Sequence, residues 1–300
     1  MIQSQMFAPS VVYRLRRAHD QIQELNNMLG GILEDSPNRA VVDFKPEDEG
    51  TYRLTIKAVI WGLPPFELSV LLSEIIHNLR AALDNLVCAL VYSQGGMGCD
   101  DSAFPMQARR PDDRAKSKPR SRQRRGNRVE RPAPDPLAGI HPDARAIIQG
   151  LQPYQSTDPK RDLLWVLNQL SNIDKHRFFH VAAWALGAAE FEVIPVRHVT
   201  NITHQKILHT SGRVSLGTPL AEAIVHSHHP QPEVQVKTDF GLDIAFDETS
   251  TIVPNTLVGP LLRDISRYVI GIAESFERFL PPPIATPMSP EQPISEWDDD

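Results

Sequence analysis

Residues able to do chemistry cluster in two short stretches, 74–86 (EIIHNLRAALDNL) and 167–180 (LNQLSNIDKHRFFH), each of which interrupts an apolar helical pattern with charge. The first holds His77, Asn78, Arg80 and Asp84, and the second Asn172, Asp174, Lys175, His176, Arg177 and His180. An imidazole titrates near neutrality, so His77 or His176 is suited to carry a proton, and a guanidinium such as Arg80 holds a phosphate through two parallel hydrogen bonds. RNA cleavage asks for little more. Its 2′-hydroxyl is an internal nucleophile, so the protein need only move a proton and stabilise charge on the phosphorane. That reading makes His77, Arg80 and His176 the catalytic candidates, with Asn78, Asp84, Asn172, Asp174, Lys175 and Arg177 as binding residues and neither metal nor cofactor. Imidazole and carboxylate also suit zinc, which gives His77, Asp174, His176 and His180 a second reading as ligands, although no HExxH or CxxC accompanies them. A third reading is a buried salt-bridge network that fixes helix register and does no chemistry.

Two helices must present these groups. Pro64 and Pro65 end a strand and start a helix over residues 66–92, closed by Gly95 and Gly96. At about 100° per residue, Ser73, His77, Arg80 and Asp84 share a polar stripe beside the apolar arc of Ile76, Leu79, Leu83, Val87 and Leu90. Glu74, Asn78 and Asn85 point farther round, toward solvent or another element. A second helix is predicted over 160–177, started by Asp158-Pro159. Its apolar face of Leu163, Val166, Leu167, Leu170 and Ile173 is continued by Asp174 and Arg177, which puts charge in the interior. Unpaired buried charge is costly, so the two helices are expected to pack with Arg80 against Asp174 and Asp84 against Arg177, and His77 and His176 close by.

The remaining chain reads as alternating helical and strand patterns. A long helix follows a Ser10 cap, with Leu15, Ala18, Ile22, Leu25, Leu29 and Ile32 on one face and an end near residues 30–35. AVVDFK and TYRLTIKAVIWG, parted by PEDEG, form a hairpin. A helix spans 141–151. Strands are expected in FHVAAWAL, in AEFEVIPV, near 206–214, and as a pair EVQVKT and LDIAF turning at 239–241, before a last helix over 255–280. The fold class is therefore α+β, a bundle of long helices packed on an antiparallel β-sheet.

With 300 residues, 41% of them hydrophobic and 23% charged, the chain has the composition of an ordinary globular protein. Its net charge of −6 gives no general attraction to nucleic acid, but the charge is uneven. Eleven basic and three acidic residues lie between Arg109 and Arg131, with almost no large apolar side chain. Residues 108–135 are accordingly expected to be a disordered basic insertion in a domain made of 1–107 and 136–280, and 281–300 a disordered, proline-rich, acidic tail. The insertion is read chiefly as a solvated linker, with non-specific phosphate contact as its functional alternative. Cys88 and Cys99 lie in different contexts and argue for reduced thiols; with no stretch of about 18 apolar residues and no leader pattern, the expected location is the cytoplasm, away from membranes. The histidines of HSHHP (His226, His228, His229) read as a solvated loop, and Trp61, Trp165 and Trp184 as core. There is no Walker loop, no GxSxG and no dinucleotide fingerprint, which removes the commonest enzyme classes.

The pairing of HNLRAALDNL (77–86) with NIDKHR (172–177), preceded by QPY (152–154) and LLWVLNQL (163–170), resembles a widespread group of uncharacterised bacterial proteins of about this length. More remotely it is similar to the HEPN superfamily of helical bundles, which includes RNA-cleaving toxins and defence proteins as well as non-catalytic nucleotide binders. That second resemblance implies a homodimer, RNA or a nucleotide as partner, and a metal-independent site built on an Arg, a polar neighbour and a His four to six residues on. Here Arg80 is followed at those distances by Asp84, Asn85 and Leu86, and His180 follows Arg177 too closely. The roles carry over only to Arg80, His77 and His176, by convergence of two helices. In the alternative, the protein is a non-enzymatic interaction or structural protein.

Overall fold

The computed structural model describes residues 2–34, 40–59, 64–96, 102–110, 135–174, 181–209, 212–246 and 250–280. Among them are five α-helices and seven strands, all of whose pairings are antiparallel, so the α+β class holds. The chain divides into two compact units, one of residues 1–21, 73–177 and 263–300, the other of 22–72 and 178–262.

Helix α1 (Ile2–Glu34) begins well before the expected Ser10 cap and runs through Pro9. Its buried face is the predicted one: Leu15, Ala18, Ile22, Leu25 and Leu29 are each at most 5% exposed. Helix α2 (Phe66–Ser93) ends as its glycines dictate. Gly95 takes φ +80°, its N–H reaches the carbonyl of Tyr92 and that of Gly96 the carbonyl of Val91, which closes the last turn with two orphan carbonyls satisfied. Helix α3 (Pro142–Gly150) is capped by the side chain of His141, which accepts from the Asp143 N–H. Helix α4 (Leu163–Asp174) starts later than expected. Asp158-Pro159 does not open it; Asp162 Oδ1 accepts from the N–H groups of Leu164 (2.9 Å) and Trp165 (3.4 Å) and is the cap. The last helix, α5 (Val258–Ser275), is followed by a 3-10 turn, Glu277–Phe279, and is shorter at both ends than the periodicity suggests.

All the strands belong to the second unit. Strands β1 (Ala40–Asp48) and β2 (Thr51–Ala58) form the predicted hairpin, with strand extending into PED so that only a tight turn at Gly50 remains. In the first sheet the order is β1-β2-β6-β4, with β6 at Pro219–His226 and β4 at Asn201–Ile207. The second sheet is β5-β3-β7, with β3 at Val181–Arg197, β5 at Gly212–Arg213 and β7 at Glu233–Phe246. Two expectations are corrected here. From Val181 on, FHVAAWAL and AEFEVIPV are one long strand, and EVQVKT and LDIAF do not turn back on each other: they form the single strand β7, which pairs with β3 from Val181↔Phe246 to Arg197↔Glu233. The register shift between Leu186 and Ala188 leaves Gly187 as the extra residue on β3, while Gly241, the glycine that suggested a turn, pairs with Ala188 within the strand. Alternation along β2 buries Leu54 and Ile56, which pack with Ala221, Ala223 and Val225 of β6 and Val193 of β3.

Candidate functional site

Helix α2 is buried on most of its circumference, so the polar residues within it must find partners. Arg80 and Asp84 find each other, with Arg80 Nη2 lying 3.1 Å from Asp84 Oδ1 one turn on. Both also reach the main chain of Phe104. Arg80 Nη1 donates to its carbonyl at 2.9 Å, and its N–H donates to Asp84 Oδ1 at 2.9 Å. The Phe104 ring is fully buried. Burial pulls the Arg80 guanidinium below its ordinary value, and the Asp84 carboxylate acts in the opposite direction.

Three residues along, a second side chain holds the same stretch. Gln152, only 3% exposed, donates through Nε2 to the carbonyls of Pro105 (2.8 Å) and Ile148 (3.0 Å) and accepts through Oε1 from the Gln107 N–H (3.2 Å). The Gln107 carbonyl accepts from the Tyr154 N–H at 3.1 Å. The main chain of 104–107 is thus held mostly by side chains, with Arg80, Asp84 and Gln152 satisfying groups that no neighbouring strand reaches. Gln152 and Tyr154 belong to the QPY motif, and the Arg110 guanidinium lies 6.0 Å from the centre of the Tyr154 ring. Past residues 111–134, which lie outside the described residues, the chain is held again: Arg145 pairs with Asp135 at 2.7 Å and donates to the Leu137 carbonyl at 3.1 Å.

Asn78 faces α1, one of the two directions open to it on the helical wheel. Arg14 Nη1 donates to Asn78 Oδ1 (2.7 Å), Asn78 Nδ2 donates to Gln21 Oε1 (2.8 Å), and Gln21 Nε2 donates to Glu74. Arg14 and Glu74 are exposed, whereas Gln21 and Asn78 are 1% and 6% exposed. All donors in this relay point the same way, from a surface cation to a surface carboxylate through two buried amides.

His77 is exposed on α2, and Asn172 is exposed on the last turn of α4. Lys175, His176, Arg177 and His180 lie outside the described residues, as does the side chain of Asp174, so the expected pairs Arg80 with Asp174 and Asp84 with Arg177 lie outside them too. Arg80 and Asp84, on the described residues, meet each other. Cys88 is buried, Trp184 is buried and Trp165 is half-buried. In the HSHHP stretch His228 and His229 are exposed, His226 Nε2 lies 2.9 Å from the Thr203 hydroxyl, and the His229 ring stacks on His198. Among the described residues no group of three or more His, Cys, Asp or Glu side chains is placed to hold a metal ion, and no helix is long and apolar enough to cross a membrane.

Sequence reasoning missed an open groove of about 520 Å³ in the first unit, lined by α3, the start of α4 and α5. Its walls are almost wholly apolar, with Tyr268 half-buried among them. Burial and the nearby Asp162 carboxylate raise the Tyr268 hydroxyl above its ordinary value, and burial raises Asp162 against its two cap hydrogen bonds. Comparison with protein-family models, curated proteins and solved structures finds no match to this chain.

Proposed function

We propose that this chain is a non-enzymatic binding protein, that the polar segment of α2 is a structural clamp, and that its partner is a polyanion of the RNA class, met by the basic stretch 109–131. One observation carries the first part. Both terminal nitrogens of Arg80 are engaged, one with Asp84 and one with the Phe104 carbonyl, and the Asp84 carboxylate stands where a phosphate would have to come. A ribonuclease at this position would have to displace both partners and bring like charges together. For the partner class the support is composition: eleven basic residues against three acidic ones in 109–131, in a chain otherwise well on the acidic side.

The test uses the purified full-length chain and total RNA, with and without a chelator. The expected outcome is intact RNA under both conditions, together with binding that weakens steeply as salt rises, because each neutralised phosphate releases counterions. Chelator-independent cleavage that disappears in a still folded Arg80→Ala variant would restore the catalytic reading of Arg80, His77 and His176. Chelator-sensitive cleavage would favour the metal reading, and salt-insensitive or absent binding would remove RNA as the partner.

A further inference from the structure

The groove in the first unit is lined by Ile147, Leu151, Leu163, Tyr268 and Ile272, with a gap at Gly271, where a Cβ would meet no other atom within 4 Å. It runs along α5 from Asp264 to Ser275, twelve residues spanning about 16 Å of helix. The chain leaves α5 at the Ser275 end: the Phe279 ring lies 5.5 Å from His141, the cap of α3, and Leu280 departs in extended conformation at φ −99°, ψ 149°. Residues 281–300 follow, outside the described residues, and begin PPPIATPMSP, with five prolines in ten positions.

We propose that the stretch 281–290 of this same chain occupies the groove, running back along α5 as a polyproline-type strand with Ile284 and Met288 against its apolar lining. Three considerations support this occupant. A polyproline helix rises about 3.1 Å per residue, so ten residues cover about 31 Å, ample for the groove from where Leu280 leaves it. Such a helix makes no internal hydrogen bonds and is recognised by apolar, aromatic-lined grooves, which matches walls that offer Tyr268 and few polar atoms. The covalent link also presents the tail at an effective concentration near the millimolar range, which favours it over the same segment of a second copy.

Amide exchange on the full-length chain tests the idea. The amides of Ile284, Ala285, Thr286, Met288 and Ser289 should exchange more slowly than in a synthetic peptide of residues 281–300, by about tenfold or more. Gly271→Leu, which places a side chain in open space on a helix whose backbone tolerates it, should return them to the peptide rate and leave the melting temperature no lower. Ile284→Asp with Met288→Asp should instead speed exchange in the segment carrying Ile147 and Leu151. Peptide-like exchange in the wild-type tail overturns the proposal. So does protection that survives Gly271→Leu, and protection that grows with protein concentration reassigns the groove to a second copy's tail.

Discussion

Arg80 and Asp84 stand one turn apart on α2 and divide the main chain of Phe104 between them, the cation taking its carbonyl and the anion its N–H. Each charge is thereby neutralised twice, once by the other side chain and once by a backbone dipole, which is how a half-buried pair repays its desolvation.

Removing one member should therefore cost more than an ordinary surface pair would. Arg80→Ala leaves Asp84 and the Phe104 carbonyl without their cation, and we expect a loss of about 2–4 kcal/mol in chemical denaturation. The double variant with Asp84→Ala should lose less than the sum of the single changes, since the second removal takes away a charge already stranded. Full additivity would mean that the clamp does not act as a unit.

The direction of the Arg14–Asn78–Gln21–Glu74 relay makes Asn78→Asp an exacting substitution. Shape is kept and Arg14 gains a carboxylate partner, but the position can no longer donate to the buried Gln21 Oε1. A loss of about 1–3 kcal/mol is expected despite the new ion pair. A neutral or stabilising result in urea denaturation would show that the amides are reversed.

Asp162 offers a pH-dependent test. Its folded-state pKa lies above the ordinary 3.8, chiefly through burial, so its ionised form weakens the fold. That contribution favours folding below the unfolded pKa and is lost as pH rises through the raised folded value. Asp162→Asn keeps a capping oxygen without the charge. At neutral pH it should match or exceed wild type in stability, and the difference should shift toward wild type as pH falls through the raised folded value, with the shift complete below 3.8. An advantage for Asn that widens in acid would contradict the burial argument.

Gly50 turns β1 into β2 at φ +73°, and a Cβ there would stand 3.0 Å from the carbonyl oxygen of Ser227, whose N–H donates to the Gly50 carbonyl. Gly50→Ala meets both left-handed strain and a backbone obstacle, so a cost of about 1–3 kcal/mol is expected in thermal melts. The same change at Gly271 meets neither and should be neutral or stabilising.

The helices were legible because their apolar residues recur at helical spacing, and α1, α2 and the hairpin follow the pattern closely. Strand β6 was not. Its inward positions Ala221 and Ala223 are too small to mark an apolar alternation, and they are small because the inter-sheet core already holds Leu54, Ile56 and Val193. The 239–241 stretch misled because a glycine inside a strand and a glycine in a turn are the same letter. At the polar centre, the charged residue types pointed to α2, and an i,i+4 pair was within reach of the wheel. What no residue pattern reveals is that both charges also serve a backbone twenty residues away, since main-chain groups have no letter of their own. Gln152 was hidden for a related reason: an uncharged amide gives no hint of burial until three main-chain partners surround it.

The pairing of Thr51 with His226 bears on how the protein is made. Strand β2 leaves the ribosome more than a hundred residues before its neighbour β6, and the first unit likewise awaits its third stretch of sequence, from residue 263. Neither unit can close before its last stretch has been made, so the nascent hairpin waits with one flank uncovered. Until β6 arrives, the open edge of β2 is a row of unpaired main-chain groups, which is where a wrong strand could pair.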